Sequence, residues 1–300
     1  MNRTGWKGVF PAITTPFRDG LAVDFEFLRE HVRWLLDKGC SGIVALGSLG
    51  ESATLTLDEK LAILQTCREA AAGRAPVVAG VAGLSTSECV ALAKGAEETG
   101  CDGLMVLPAY VYRGDARESE AHAAAVLDAT ALSCMLYNNP IAYGTDFLPA
   151  QIAMLARRHP NLHAVKESAG DVRRVTAIRE IADDRLAVFV GVDDLIVEGV
   201  AAGAVGWIAG LVNAFPAESV LLFDLAMRGD HEEARRLYEW FLPLLRLDTV
   251  PKFVQLIKLV QQEVGRGSER VRPPRLTLVG DEREAAFEVI RAAVRARVTL

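Results

Sequence analysis

Lys166 stands in the stretch HAVKESAG, residues 163–170, where a short apolar run gives way to Glu, Ser and Gly. An ammonium at the end of a buried strand costs several kcal/mol unless it is paired or gives up its proton. Burial favours the neutral form of an amine, and a neutral lysine is a nucleophile toward carbonyl or imine carbon, the chemistry of a Schiff base. The bland alternative is a structural lysine paired with Glu167 or another carboxylate. Tyr137 closes the run CMLY, 134–137. If it lies on a neighbouring strand, its phenol can relay protons to and from the same amine; alone, it reads equally as a core tyrosine with its hydroxyl tied to backbone. In GSLGES, 47–52, glycines surround Ser48 and Leu49. Such a turn can aim backbone N–H groups at an anion, most simply a carboxylate, with the Ser48 hydroxyl binding that anion or linking to Tyr137. Ordinary tight turns use the same residues.

These residues need a scaffold that brings strand ends together. The apolar runs GVFPAI (8–13), GIVAL (42–46), PVVAG (76–80), GLMVL (103–107), CMLY (134–137), LHAVK (162–166), AVFV (187–190) and GWIAG (206–210) each have the length of a strand buried on both faces. Amphipathic segments with Ser or Thr starts and Gly stops alternate with them, among them FEFLREHVRWLLDKG, LTLDEKLAILQTCREAAAG and STSECVALAKGAEETG. The alternation predicts an α/β protein, a (β/α)8 TIM barrel over residues 1–228. A doubly wound sheet is disfavoured because no GxGxxG follows the first run. Residues 229–300 read as helices only, HEEARRLYEWFLPLLRL, VPKFVQLIKLVQQEVG and DEREAAFEVIRAAVRARV, and are expected to pack on the barrel as a C-terminal extension. In a barrel, chemistry gathers at the carboxyl ends of the strands. There the chain places GSLGES, PAYVYRG, YNNP, KES and GVDD.

Composition narrows the classes. The net charge of -6 leaves no basic surplus for nucleic acid, and no apolar run reaches the roughly 18 residues that span a bilayer. The polar N-terminus lacks the apolar core of a signal peptide, so a soluble cytoplasmic protein is expected. Five scattered cysteines form no CxxC pair and five histidines show no HExxH spacing, so reduced thiols and no metal are expected. Asp193 and Asp194, and likewise Asp171, read as acids that favour a helix start rather than as metal ligands.

GVFPAITTPF, GSLGES, YNNP, KES and GVDD, with the late VPKFVQLIKL, occur in the order found in the family of dihydrodipicolinate synthase and N-acetylneuraminate lyase, and the chain resembles that family over nearly its whole length. The resemblance implies a barrel with a C-terminal helical region, a homotetramer built as a dimer of dimers, a small keto or imino acid as substrate, and no cofactor. It assigns the Schiff base to Lys166, proton transfer to Tyr137 and Ser48, and to Tyr110 the place of the loop tyrosine that many members lend to a neighbouring subunit. The substrate-binding set expected with them is Gly47, Ser48, Leu49, Gly191 and Ile208. Ala142, Tyr143, Val192 and Trp207 are expected to line the far end of the pocket.

Two departures bear on activity. Ala142 occupies the place of an arginine that holds a second carboxylate in dihydrodipicolinate synthases, and an alanine has no guanidinium fork. Leu49 stands where many members have a second threonine. Within the family the chain is most similar to the deaminases of hydroxyproline breakdown, through VLPAYVYRGDARE, NNPIAYGTDF, GVDDLIVEG and FLPLLRLD. That likeness implies conversion of 1-pyrroline-4-hydroxy-2-carboxylate to 2-oxoglutarate semialdehyde and ammonia. The alternatives are a pyruvate aldolase or lyase, a dihydrodipicolinate synthase-like condensation, and a non-catalytic keto-acid sensor.

Overall fold

The computed structural model describes residues 1–297. Eight strands form one parallel sheet: β1 (Gly8–Pro11), β2 (Ile43–Ala45), β3 (Val77–Val81), β4 (Gly103–Val106), β5 (Ser133–Asn138), β6 (Leu162–Glu167), β7 (Ala187–Val190) and β8 (Gly206–Ala209). Their spatial order is β1-β8-β7-β6-β5-β4-β3-β2. A parallel bridge between Ala12 and Val44 joins the two end strands, so the sheet closes into a barrel. Each strand lies within two residues of an apolar run named above.

The helices are α1 (Phe25–Asp37), α2 (Leu57–Ala71), α3 (Thr86–Glu98), α4 (Ala116–Asp128), α5 (Pro140–Tyr143), α6 (Pro149–Arg158), α7 (Arg173–Ala182), α8 (Ile196–Ala201) and α9 (Pro216–Arg228), followed by α10 (His231–Leu245), α11 (Phe253–Glu263) and α12 (Gly280–Arg295). Their starts follow local chemistry. Thr56 with Glu59, and Asp115 with Glu118, form reciprocal capping boxes at α2 and α4, and the Ser85 hydroxyl accepts from the Glu88 amide at α3. Gly39, Gly73 and Gly100 follow α1, α2 and α3 at positive φ, where a glycine carries no Cβ penalty. The expected last helix runs on to Val298, which lies outside the described residues.

Aromatic side chains floor the barrel. Phe10 meets Phe189 at 5.5 Å between ring centroids, and Trp6 packs on both at 6.0 Å. Room for these rings comes from Gly42 and Gly206, whose missing side chains would collide with Phe10 and Phe189. Because strand side chains alternate, this floor fixes which residues face inward higher up. Gly191 lies two residues beyond Phe189, Ile208 two beyond Gly206, and Lys166 is the register partner of Phe189.

The C-terminal helices rest on the barrel. Phe215, at the start of α9, packs edge-on against Trp240 and Phe241 of α10, and Gln261 of α11 accepts a hydrogen bond from the Thr14 hydroxyl at 2.8 Å. Among the described residues, no helix is long and apolar enough to cross a membrane.

Candidate active site

β5 and β6 pair with Tyr137 directly opposite Lys166, so the two side chains rise from neighbouring strands on the same face. Lys166 is 7% exposed, and its Nζ lies 4.2 Å from the centroid of the Tyr137 ring. No carboxylate pairs with it within 4.0 Å among the described residues. The structural alternative, a pair with Glu167, does not form. Glu167 turns away and accepts from Asn138 Nδ2 at 3.1 Å and the Ala169 amide at 2.7 Å, with Arg174 at 3.8 Å. Gly191 makes room for the lysine, because a side chain there would collide with Lys166 Cε and Ser168 Oγ.

Ser48 joins this group through a residue that the sequence assigned elsewhere. Its hydroxyl hydrogen-bonds to Tyr143, not to Tyr137, whose own hydroxyl accepts from Asn139 Nδ2 at 2.9 Å. The Tyr143 ring stands edge-on to Tyr137 at 5.8 Å, and Tyr110 packs on it at 5.5 Å. Tyr143 is therefore the hub of a Ser48–Tyr143–Tyr110 cluster beside Tyr137, rather than a far-end lining residue. Its placement has a local cause. Asn139 caps the one-turn helix α5 by accepting from the Ala142 amide, Pro140 opens it, and Gly144 ends it in the left-handed conformation. One helical turn thus folds Tyr143 back toward the end of β5. The signal was present in NNPIAYG as a cap, a proline and a stop glycine. Burial raises the Tyr143 and Tyr110 hydroxyls above the usual phenol range, with the Tyr137 phenol adding and the Ser48 hydroxyl opposing in both, so both stay protonated at neutral pH.

The GSLGES turn is built differently from the expectation. The left-handed residues are Leu46 at φ 63° and Glu51 at φ 55°, not the glycines. Gly50 serves close approach instead, since a Cβ would lie 3.1 Å from the Ile13 carbonyl. Glu51 is held from the C-terminal region: its buried carboxylate pairs with Lys258 of α11 and accepts from the Arg272 amide at 2.9 Å. Lys258 also donates to the Arg270 carbonyl at 2.6 Å and lies 4.3 Å from the Phe17 ring centroid. Burial pulls its amine down to about 8 against the opposing pull of Glu51. A lone lysine inside the run Leu256–Val260, otherwise all Leu, Ile and Val, was the available clue. Leu49 is buried beside this turn, Gly47 follows Leu46 within it, and Ile208 is buried on the inward side of β8.

Two expectations about the β7 and β8 ends change. Asp193 caps no helix with its side chain. It is wholly buried and accepts from Trp207 Nε1 at 3.1 Å and from the Gly210 and Leu211 amides at 3.1 and 2.9 Å, bracing β7 to the loop after β8. Burial raises it to about 6, with these donors and the charge of Lys166 opposing. Trp207 therefore lies behind the lumen as a donor to Asp193, not along the pocket. Val192, half-buried, lines a small outer crevice with Glu167 and Val190. Asp171 does lie at a helix start, where it accepts from the Arg173 amide and guanidinium. Ala142 is exposed on α5 rather than lining the pocket. All five cysteines are free and buried.

An eight-stranded parallel barrel with an unpaired lysine at the end of β6 and a phenol on β5 defines the class of lysine Schiff-base lyases. The chain belongs to the Dihydrodipicolinate synthetase family, whose model matches residues 5–293. The 4-hydroxy-tetrahydrodipicolinate synthase of Pelobacter propionicus is 34% identical over 286 residues, 94% of this chain and 96% of that one. The enzyme of that name from Methanocaldococcus jannaschii is 30% identical over 95% of this chain and 98% of its own. The crystal structure of dihydrodipicolinate synthase from Aquifex aeolicus superposes with a TM-score of 0.91 at 28% identity, covering 96% and 98% of the two chains. A chloride-inhibited dihydrodipicolinate synthase from Acinetobacter baumannii, solved with pyruvate, gives 0.90 at 28% identity over 96% and 99%. The chain is thus an enzyme, a class I lyase that works through a lysine Schiff base on a small keto-acid-type substrate.

Proposed function

We propose that Lys166 is the Schiff-base lysine and that its substrate is 1-pyrroline-4-hydroxy-2-carboxylate, deaminated to 2-oxoglutarate semialdehyde and ammonia. The observation that carries the lysine assignment is its unpaired, buried amine beside Tyr137, against which the protein has left Gly191 bare. The amine attacks the C2 imine, and the ring nitrogen leaves C2 as the enzyme-bound imine forms. Tyr137 and the Ser48–Tyr143–Tyr110 cluster carry protons between this carbon and the mouth. The protonated Schiff base stabilises an enamine at C3, the 4-hydroxyl departs as water, proton shifts from C5 to C3 and from nitrogen to C4 turn the C5 amine into an imine, and two hydrolyses free ammonia and the lysine. The GSLGE turn holds the substrate carboxylate, with Gly191 and Ile208 beside the reacting carbons. No cofactor is required.

A second reading is condensation of pyruvate with an aldehyde, as in the relatives named 4-hydroxy-tetrahydrodipicolinate synthase, whose similarity spans most of the chain and which favour it. Against it stand Ala142, which offers no guanidinium to a second carboxylate, and Leu49, which offers no hydroxyl. Product decides between them. Given the pyrroline, the enzyme is expected to release ammonia in step with aldehyde. Given pyruvate and aspartate semialdehyde, it is expected to form little cyclised product. Condensation without ammonia release from the pyrroline overturns the deaminase reading. Reversible binding of either acid with no borohydride-trapped adduct would instead identify a sensor. We further propose a cytoplasmic homotetramer, with Leu84, Val111 and Tyr112 on loops and Ile141 on α5, all exposed around the mouth, as contacts between copies.

A further inference from the structure

Asp248 lies in a 3-10 turn, Arg246–Asp248, between α10 and α11, far in sequence from every strand end. Its carboxyl nevertheless comes to the barrel mouth. A side chain built on Gly210, two residues beyond Ile208, would collide with Asp248 Oδ1 and lie 2.6 Å from its Cγ. Asp248 thus occupies the side-chain position that Gly210 leaves vacant, as Lys166 occupies the one that Gly191 leaves vacant on the adjoining strand end. Oδ1 is closed to solvent and has no hydrogen-bond partner among the described residues. Asp193 reaches the same glycine by accepting a hydrogen bond from the Gly210 amide.

Two carboxyls in one enclosed place do not both ionise readily. Their surroundings divide the roles. Asp193 has three N–H donors that favour a carboxylate, whereas Asp248 Oδ1 has none. Burial and the charge of Asp193 therefore hold Asp248 well above the usual carboxylate range, with Asp194 adding and Lys166 opposing. Arg246, the nearby cation on the same turn, faces Asp194 at 3.6 Å and leaves Asp248 uncompensated on that side. A carboxyl whose protonated form is favoured in this way can serve as a proton donor.

We propose that Asp248 is the general acid that protonates the departing hydroxyl when the Lys166-bound substrate loses water, with Asp193 as its ionised neighbour. This rests on the deaminase reading above. In the step, the enamine nitrogen's lone pair re-forms the C2=N bond, and the C2=C3 electrons become C3=C4. The C4–O bond breaks with its electron pair on oxygen, and the Asp248 proton passes to that oxygen, which leaves as water. Asp248 remains as a carboxylate and regains its proton through the mouth. No oxidant or reductant takes part.

The test compares the wild-type enzyme with Asp248→Asn. With the pyrroline, kcat for ammonia release is expected to fall about 100-fold or more, with KM changed far less. The fall of wild-type kcat as pH rises through the Asp248 titration should be absent from the variant. Borohydride trapping followed by mass measurement should find on Asp248→Asn an adduct that still carries the hydroxyl, heavier by one water than the dehydrated form. Both proteins should trap pyruvate equally, because that adduct needs no leaving hydroxyl. If Asp248→Asn does not fold, Asp248→Glu takes its place; it keeps an acid and should retain the alkaline limb with its midpoint shifted. An unimpaired Asp248→Asn, an unchanged pH profile, or an already dehydrated adduct on the variant overturns the inference while leaving the deaminase reading intact. A wild-type enzyme that releases no ammonia from the pyrroline overturns both.

Discussion

Lys166 and Lys258 are both buried amines, and each lies about one ring's thickness over an aromatic face, Tyr137 in one case and Phe17 in the other. Their surroundings differ in the remaining partners. Lys258 has a carboxylate and a backbone carbonyl, so its hydrogen-bonding capacity is spent inside the protein. Lys166 has no carboxylate partner among the described residues, and the space around its stem is left free by a glycine. A lysine paired in this way holds two segments together; a lysine left unpaired at a mouth is available to a substrate. Burial alone does not distinguish the two roles, whereas partners do.

The contrast can be broken most severely at Lys166. Lys166→Ala is expected to lower kcat/KM at least about 1,000-fold and to abolish the borohydride adduct with pyruvate while leaving the melting temperature close to wild type. The converse holds at Lys258. Lys258→Met leaves Glu51 buried without its cation and is expected to cost about 3–5 kcal/mol in a denaturant titration, with the Schiff base still trappable in the folded fraction. Tyr143→Phe sharpens the boundary of the reactive region: it removes the hydroxyl that joins Ser48 to the tyrosines, and kcat should drop about 100-fold with stability little changed. An unimpaired Tyr143→Phe would return proton transfer to Tyr137 alone.

The smallest expected effect is on pH dependence. The Lys258 amine is lowered from 10.5 to about 8 in the folded chain. Between those values the unfolded chain binds the extra proton, so this group makes stability rise as pH increases from about 8 toward 10.5. The rise should appear as the difference between wild-type and Lys258→Met stabilities measured across that range, because the buried tyrosines and cysteines contribute alike to both proteins. A difference that is flat with pH would show that Lys258 keeps its proton throughout.

The barrel was legible because strands buried on both faces read as uninterrupted apolar runs, and each of the eight fell on a strand. Lys166 and Tyr137 were legible for a related reason: polar groups at the ends of such runs are costly enough to draw notice. What escaped were contacts between residues remote in sequence. Tyr143 needed the one-turn helix α5 to reach Ser48, 95 positions away in the chain. Glu51 looked like the tail of a turn, yet its partner lies 207 residues on, in α11. Asp193 had the sequence position of a helix-start acid and was claimed by the Trp207 indole and two amides instead. Hydropathy carries burial, not partnership, so periodicity could locate these side chains without saying what they hold.

Trp6, Phe10 and Phe189 seal the barrel opposite its reactive end. The lumen is therefore a vessel with a single opening. Substrate and products all share that doorway, so arrivals and departures must take turns. Traffic through one entrance gives turnover an order that the chemistry at the lysine does not impose by itself.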